Sequence, residues 1–321
     1  MSIADGNVLA LTGGVGGAKL ALGLAEVLEP GQLHALVNTG DDFEHLGLHI
    51  SPDIDTLLYT LSGLANPEAG WGLAGETWQA MEALERLGGE TWFRLGDRDL
   101  ATHLWRRQQL SLGKSLSDVT SALAERLGIA SNVYPMSDDS VRTMVHTSDG
   151  DLPFQHYFVR EQCRPVVNGF SFEGISAARP NRNVLRMLQA QQFSTVVICP
   201  SNPFVSVDPI LQVPGLWLAL RDCDLPVILV SPIVAGAALK GPAAKMMAEL
   251  GVPATATGVA EHYARRYPEL VDYFVIDQSD ATLVPEIEAL GLKVLVTSTI
   301  MKTLEDKRLL AQATLKLGVE G

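Results

Sequence analysis

The sequence predicts an α/β protein with a doubly wound, Rossmann-like parallel sheet. Two observations support this class. Short apolar segments alternate with helical segments at both ends of the chain, which is typical of a parallel sheet covered by helices on both faces. The first apolar segment also runs directly into a glycine-rich turn and a helix N-terminus. We predict a single α/β domain over residues 1–321.

The first strand and the first helix are joined by this glycine-rich turn. Residues 8–12 form a strand that is apolar up to Thr12, and residues 20–28 have the character of a helix. Between them stand Gly13, Gly14, Gly16 and Gly17. Such a turn lets backbone N–H groups approach an anion, and the helix dipole favours negative charge there. A phosphate site is therefore expected, although the turn lacks the ending of a P-loop and its glycines could serve packing alone.

Four carboxylates follow the second apolar strand, residues 33–37. They belong to Asp41, Asp42, Asp53 and Asp55. Ligands of open α/β sheets bind outside the carboxyl ends of the strands, so Asp41 and Asp42 are expected beside the glycine turn. Paired carboxylates next to phosphate suit Mg²⁺. The alternative is that Asp41 is a turn residue and that Asp53 or Asp55 caps a helix starting near Thr56.

The middle of the chain predicts a helical insert, at about residues 70–130, followed by a β-hairpin at about residues 140–160. Apolar residues recur with helical spacing over 76–87, 99–109 and 117–127. Asp97 and Asp99 lie in a polar turn, where they could simply cap a helix or pair with Arg98. The hairpin is predicted from an alternating segment at 141–147, a turn at 148–151 and a second strand at 154–159.

Four further apolar strands are predicted in the second half, at residues 195–200, 226–232, 273–277 and 293–297. Two of them end in polar loops bounded by proline. Ser201 and Asn202 can supply a hydroxyl and an amide to a base or phosphate, and Lys240 can pair with phosphoryl oxygens. Each loop can also be read as a simple turn, and Pro242 as ordinary punctuation at a helix start.

The composition indicates a globular protein and argues against several partners. The chain has 321 residues, of which 47% are hydrophobic and 19% charged, and a formal net charge of −13. That charge argues against nucleic acid, and no apolar run is long enough to span a membrane, so a cytoplasmic location is expected. Three scattered cysteines suggest neither zinc nor disulfides, and His146 and His156 are expected to be structural or exposed.

The order and spacing of these motifs resemble the 2-phospho-L-lactate transferase family, which builds the deazaflavin coenzyme F(420). The resemblance covers nearly the whole chain. Its motifs occupy residues 13–19, 38–42, 51–55, 95–99, 154–159, 200–203 and 240–243. One departure stands at Ala235-Gly236-Ala237, where such sequences often carry paired glycines.

The resemblance implies a transferase that moves a phosphorylated three-carbon acid from a guanosine diphospho donor to the ribityl hydroxyl of the deazaflavin FO, releasing GMP. The acid is lactate, enolpyruvate or glycerate, and no motif separates the three. A homodimer is also implied. Asp41 and Asp42 are expected to be catalytic and to bind Mg²⁺, with Asp53 or Asp55 contributing. Ligand-binding residues are expected at Gly13, Gly14, Gly16, Gly17, Lys19, Asn38, Asp97, Ser201, Asn202 and Lys240.

Two other function classes remain open at this point. A regulatory protein that binds a nucleotide sugar without turnover would share the glycine turn and the Asp41-Asp42 pair. A nicotinamide dehydrogenase would share the first strand and the glycine turn, and would need Asp41 to hold a ribose. The Ser51-Pro52-Asp53-Ile54-Asp55 segment and the helical insert favour the transferase over both.

Overall fold

The computed structural model describes residues 6–68, 70–238 and 241–320. Its strands, in chain order, are β1 (Asn7–Thr12), β2 (Leu33–Val37), β3 (Phe43–His45), β4 (Leu48–Ile50), β5 (Asn132–Pro135), β6 (Arg142–Thr147), β7 (Gly150–Pro153), β8 (Val167–Glu173), β9 (Phe193–Ile198), β10 (Val227–Val230), β11 (Ile233–Val234), β12 (Ala237–Ala238), β13 (Tyr273–Asp277) and β14 (Lys293–Thr297).

The helices cover both faces of the sheet. They are α1 (Gly14–Val27), α2 (Pro52–Leu61), α3 (Gln79–Arg86), α4 (Asp97–Ser111), α5 (Leu116–Arg126), α6 (Arg182–Gln189), α7 (Asp208–Leu211), α8 (Leu216–Arg221), α9 (Ala243–Glu249), α10 (Ala256–Arg266), α11 (Val284–Glu288) and α12 (Leu304–Glu320). Two π-helical turns occupy His156–Arg160 and Pro203–Val207, and two 3₁₀ segments occupy Ile175–Ala177 and Gln278–Leu283.

Seven parallel strands form the central sheet, in the order β5-β2-β1-β9-β10-β13-β14. The strand order reverses between β1 and β9. In doubly wound folds this reversal opens a crevice outside the carboxyl ends of the two strands, and ligands bind there. The predicted fold class is confirmed.

The pleat of β1 divides the core into two layers. Val8 and Ala10 pack with α1 and α12, whereas Leu9 and Leu11 point into a larger cluster that includes Phe274 and the opposite helices. A third cluster joins α1, α2 and α5 to the edge of the sheet at β5. The central strands are thus covered on both faces, as a parallel sheet requires.

The elements between β2 and β6 pack in two separate places. The short hairpin of β3 and β4 packs with Met81 of α3 and with Leu95 in a small core of its own. By contrast, α5 packs on β5 and belongs to the layer that covers the sheet. Neither the hairpin of β3 and β4 nor β5 was expected from the sequence.

The predicted strand at 154–159 is wrong. Strand β7 ends at Pro153, and the chain then forms the π-helical turn His156–Arg160. Proline has no N–H to continue a ladder, and Phe154 and Tyr157 are buried three residues apart, a spacing that suits a helical turn. The antiparallel partners of β6 are β7 and β8.

Within the described residues, no helix combines the length and apolar character needed to cross a membrane.

Candidate active site

The glycine turn meets the loop after β9 at the point where the strand order reverses. The backbone N–H of Gly13 donates to Ser201 Oγ at 3.1 Å. Helix α1 begins at Gly14, so Gly14, Gly16 and Gly17 form its first turn and not a separate loop. Gly13 is the N-cap and offers no side chain. The positive end of α1 therefore faces the crevice without a capping side chain of its own.

Close packing explains three of the glycines. A Cβ at Gly16 would collide with the carbonyl oxygen of Pro200, and one at Gly17 with the hydroxyls of Thr12 and Ser201. A Cβ at Gly13 would lie 2.7 Å from Asp53 Oδ2 and from the Cβ of Ser206. These glycines let the helix end, the loop after β9 and the Asp53 carboxylate approach one another.

Asn38 brings two of the predicted carboxylates together. Its amide Nδ2 lies 3.0 Å from Asp41 Oδ1, 2.9 Å from Asp53 Oδ2 and 3.1 Å from the Val205 carbonyl, so its two hydrogens are shared among three acceptors. The other oxygen of Asp53 accepts the Gly14 N–H at 2.8 Å. Neither Asp53 nor Asp55 is the N-cap of α2, because that helix begins at Pro52 with Ser51 as its N-cap.

These buried carboxylates resist ionisation. Burial raises the pKa of Asp41 well above its usual range, and the charge of Asp53 adds to the effect in spite of the hydrogen bond from Asn38. Burial also raises the pKa of Asp53 to about 6, against the hydrogen bonds from Asn38 and Gly14. A cation at this point would relieve the repulsion and favour both charged forms.

Asp42 is the third carboxylate of this group, and its two oxygens differ in their contacts. Its Oδ2 accepts from Ser51 Oγ at 2.9 Å and contacts His49 Nε2 at 3.0 Å. Its Oδ1 is buried and has no hydrogen-bond partner among the residues that the structure describes. Burying a carboxylate oxygen without a hydrogen bond costs free energy unless a ligand or an ion contacts that oxygen.

The chemistry of these residues fits Mg²⁺ bound jointly with a phosphate. Among the described residues, no group of three or more His, Cys, Asp or Glu side chains forms a metal site by itself. Mg²⁺ does not need one, since it is usually held by one or two carboxylates, substrate phosphates and water. The raised pKa values of Asp41 and Asp53 and the unpartnered oxygen of Asp42 match such a site.

Other predicted site residues have partners elsewhere. The carboxylate of Asp55 faces the guanidinium of Arg106 with both oxygens. Asp97 accepts from the Thr77 hydroxyl and from the N–H groups of Gln79 and Ala80, so it caps α3.

Three more predictions concern the nucleotide side. Lys19 Nζ donates to the Met301 carbonyl at 3.2 Å. Asn202 caps the π-helical turn Pro203–Val207 through Phe204 N–H. Lys240 lies outside the described residues.

Three residues that adjoin the site were not predicted from the sequence. His49 contacts Asp42, and Ser206 faces Gly13. Thr143 of β6 donates its N–H to the Gly40 carbonyl, and its buried hydroxyl has no hydrogen-bond partner in residues 6–68, 70–238 and 241–320. Of these three residues, only His49 could have been identified from the sequence, because it lies between the motifs at residues 38–42 and 51–55.

An aromatic group borders the carboxylates. Phe43 follows Asp42 directly and meets Phe93 edge to face with ring centroids 4.8 Å apart. Trp92 contacts Phe43, His45 and His156, all within 6 Å between centroids. Phe43, Trp92, Phe93 and His156 are only partly buried. They form a partly exposed aromatic surface that begins one residue after Asp42.

Comparison with known proteins gives one consistent family. A family model described as 2-phospho-L-lactate transferase CofD matches residues 8–298. A phosphoenolpyruvate transferase of Kitasatospora aureofaciens is 39% identical over 317 residues, covering 97% of each chain. A 2-phospho-L-lactate transferase of Methanosarcina acetivorans is 38% identical over 305 residues, covering 95% of this chain and 97% of its own.

The fold also has a counterpart among solved structures. A crystal structure of a UPF0052 family protein from Bacillus halodurans superposes with a TM-score of 0.65, covering 97% of this chain and 99% of that one. The two sequences are 16% identical, so the likeness concerns the fold alone.

Proposed function

The chain belongs to the 2-phospho-L-lactate transferase family, a family of coenzyme F(420) biosynthesis, and from this premise we propose its reaction in detail. It transfers a phosphorylated three-carbon acid from a guanosine diphospho donor to the ribityl hydroxyl of FO and releases GMP. The observation that carries this proposal is the meeting of the Gly13 turn with the buried Asp41 and Asp53 carboxylates at the switch point of the sheet.

The donor's diphosphate lies between the positive end of α1 and the carboxylates. Asp41 and Asp53 would hold Mg²⁺, and Asp42, whose Oδ1 makes no hydrogen bond within the described residues, would be its neighbour. The ion would supply charge neutralisation for the phosphoryl group that is transferred. The loop of Ser201 and Asn202 borders the guanosine side of the donor. Asp55 is paired with Arg106, so it is assigned no part in holding the ion.

The reaction is a displacement at phosphorus that needs positioning more than covalent help from the protein. The ribityl hydroxyl oxygen forms a bond to the phosphorus that carries the acid, and the bond from that phosphorus to the bridging oxygen of GMP breaks. The hydroxyl proton passes to a carboxylate oxygen, for which Asp42 Oδ1 is placed best because it is buried and unpartnered.

The aromatic group formed by Phe43, Trp92, Phe93 and His156 binds the planar ring system of FO. Partly exposed aromatic side chains offer the apolar surface that such a ring requires. The group begins one residue after Asp42, so a ring bound there would bring its ribityl chain to the acidic side. Asp97 caps α3, and Met81 of that helix lies in the small core against which Phe43 and Phe93 pack.

The test is a mass-spectrometric assay with FO, Mg²⁺ and each of the three guanosine diphospho donors, generated in place by a guanylyltransferase. We expect a phosphodiester of FO together with GMP, and the product mass identifies the acid. The variant Asp41→Asn and a reaction without Mg²⁺ should both lose product.

FO binding without product from any donor would overturn the proposed donor. Tight binding of UDP-N-acetylglucosamine without FO binding would support the regulatory alternative.

A further inference from the structure

A fully buried arginine contacts two elements that carry residues of the proposed ion site. Arg106 of α4 has an exposed fraction of 0%. Its guanidinium faces both oxygens of Asp55 in the first turn of α2. Its Nη1 also lies 3.4 Å from the His49 carbonyl of β4 and 3.1 Å from His103 Nδ1. One side chain therefore joins the insert helix to two other elements.

Both of these elements carry groups of the proposed ion site. Asp55 lies two residues after Asp53, on the same helical turn. The side chain of His49 contacts Asp42 Oδ2, while its carbonyl lies next to Arg106. The fixed fork of a guanidinium can hold a carboxylate and a carbonyl in one geometry, which a lysine cannot do.

A second contact strengthens the same interface. The Tyr59 hydroxyl donates to Asp99 Oδ1 at 2.6 Å, one turn further along α2. His103 lies between the two contacts, 3.7 Å from Asp55 and 3.3 Å from Asp99. Asp99, His103 and Arg106 follow one another at helical spacing on one face of α4. This polar face fixes the register of α4 against α2.

Stability alone does not account for the arrangement. Removing two charges from water is costly, and a buried ion pair is often no more stable than a well-packed apolar pair. Within the described part of the chain, the Nε of Arg106 even lacks a hydrogen-bond partner. What the guanidinium adds over an apolar side chain is directional control of Asp55 and of the His49 carbonyl.

We propose that Arg106 is a positioning residue, which holds Asp53 through α2 and Asp42 through β4 in the geometry that binds the divalent ion. The inference rests on the proposed function, because it concerns the same ion site. It also assigns Asp55 as the anchor of Arg106 and not as a ligand of the ion. The rival assignment, in which Asp55 binds the ion directly, leads to the opposite result in the test below.

The test measures Mn²⁺ affinity of the full chain, by titration with MnCl₂ in the presence of GDP. We expect Arg106→Met to weaken Mn²⁺ binding by about tenfold or more, with Arg106→Lys between it and the wild type. If Asp55 were a ligand, freeing it from Arg106 would tighten binding. Arg106→Lys keeps a cation beside Asp55, so it serves if Arg106→Met does not fold.

Two control variants separate positioning from general stability. Arg107→Met changes an exposed arginine of the same helix, and Leu315→Ala destabilises the distant core cluster of α12. Neither should change the Mn²⁺ affinity, although Leu315→Ala should lower the unfolding midpoint. Wild-type affinity in either folded Arg106 variant would overturn the positioning role alone. Failure of the wild type to bind Mn²⁺ with GDP would overturn the ion site and the inference together.

Discussion

Asp53 makes the stability of the folded chain depend on pH at the scale of one residue. Burial raises the pKa of Asp53 to about 6. In the unfolded chain the same group titrates near its ordinary pKa of about 4. Between these values the folded state binds more protons than the unfolded state. The stability that this proton contributes is therefore lost as the pH rises from about 4 to about 6.

The variant Asp53→Asn should remove this pH dependence. We expect the free energy of unfolding of the wild type to fall, relative to the variant, by about 2 kcal/mol between pH 4 and pH 7, since one pKa unit corresponds to about 1.4 kcal/mol and the unfolded group is already half ionised at pH 4. Urea titrations at four pH values measure the difference. Asp139→Asn is the control, because Arg179 holds the pKa of partly exposed Asp139 below its usual range and no such fall is expected. A constant difference between Asp53→Asn and the wild type would contradict the prediction.

Individual residues show what the sequence could and could not predict about the site. Asp41 and Asp42 could be placed beside the glycine turn because the carboxyl ends of neighbouring parallel strands share one edge, whereas Asp53 was left between a helix cap and the ion site. Asp55 could not be separated from Asp53 in the same way. Two residues along a helix amount to more than half a turn, so the two side chains leave α2 in different directions. The role of Asp97 could not be predicted from the sequence either, because tertiary packing brings the N–H groups of α3 to its carboxylate.

At the scale of elements, the contact between α1 and the loop after β9 governs the crevice. Gly16 lies where its missing side chain would meet the Pro200 carbonyl. Backbone atoms cannot move aside as the end of a flexible side chain can. The start of α1 must therefore shift if any larger residue occupies this position.

We expect Gly16→Ala to lower the free energy of unfolding by about 1 to 2 kcal/mol, because overpacking costs about 1 to 3 kcal/mol and alanine recovers up to about 1 kcal/mol of helix propensity. GDP affinity should fall as well. Chemical denaturation and calorimetric titration measure the two effects. Gly169→Ala in β8 is the matched control, since its Cβ would find only His146 Cδ2, at 3.7 Å. If the two substitutions change the free energy of unfolding and the GDP affinity equally, the Pro200 carbonyl moves to accommodate the added Cβ.

The predictability of elements depended on length and periodicity. The strands β1, β2, β13 and β14 were predicted closely because their apolar runs are bounded by polar or glycine residues. The three-residue strands β3 and β4 are too short to show a period. The segment at 154–159 carries aromatic residues that suit a strand by composition, yet burial of Phe154 and Tyr157 selects a helical turn.

At the scale of the whole molecule, the reversal of strand order joins parts of the site that are far apart in sequence. Gly13 and Ser201 are separated by 188 positions and still share a hydrogen bond. The alternation of strands and helices predicts a parallel sheet, but strand order is decided by which crossovers pack best. The sequence therefore predicted that polar loops share one edge, and not that these two loops are neighbours.

The net charge of the molecule leads to a last prediction, about the rate of donor capture. The chain carries a formal charge of −13, and the proposed donor is an anionic diphosphate. Their repulsion extends to about 30 Å in 0.01 M salt and only about 8 Å in 0.15 M salt. With Mg²⁺ saturating throughout, kcat/KM for the donor should therefore rise roughly two- to tenfold over this range. Steady-state rates at constant pH measure the change. The KM of FO is the internal control, since FO carries no phosphate and should respond little. A decrease in donor kcat/KM would mean that a locally positive rim, and not the net charge, governs the approach of the donor.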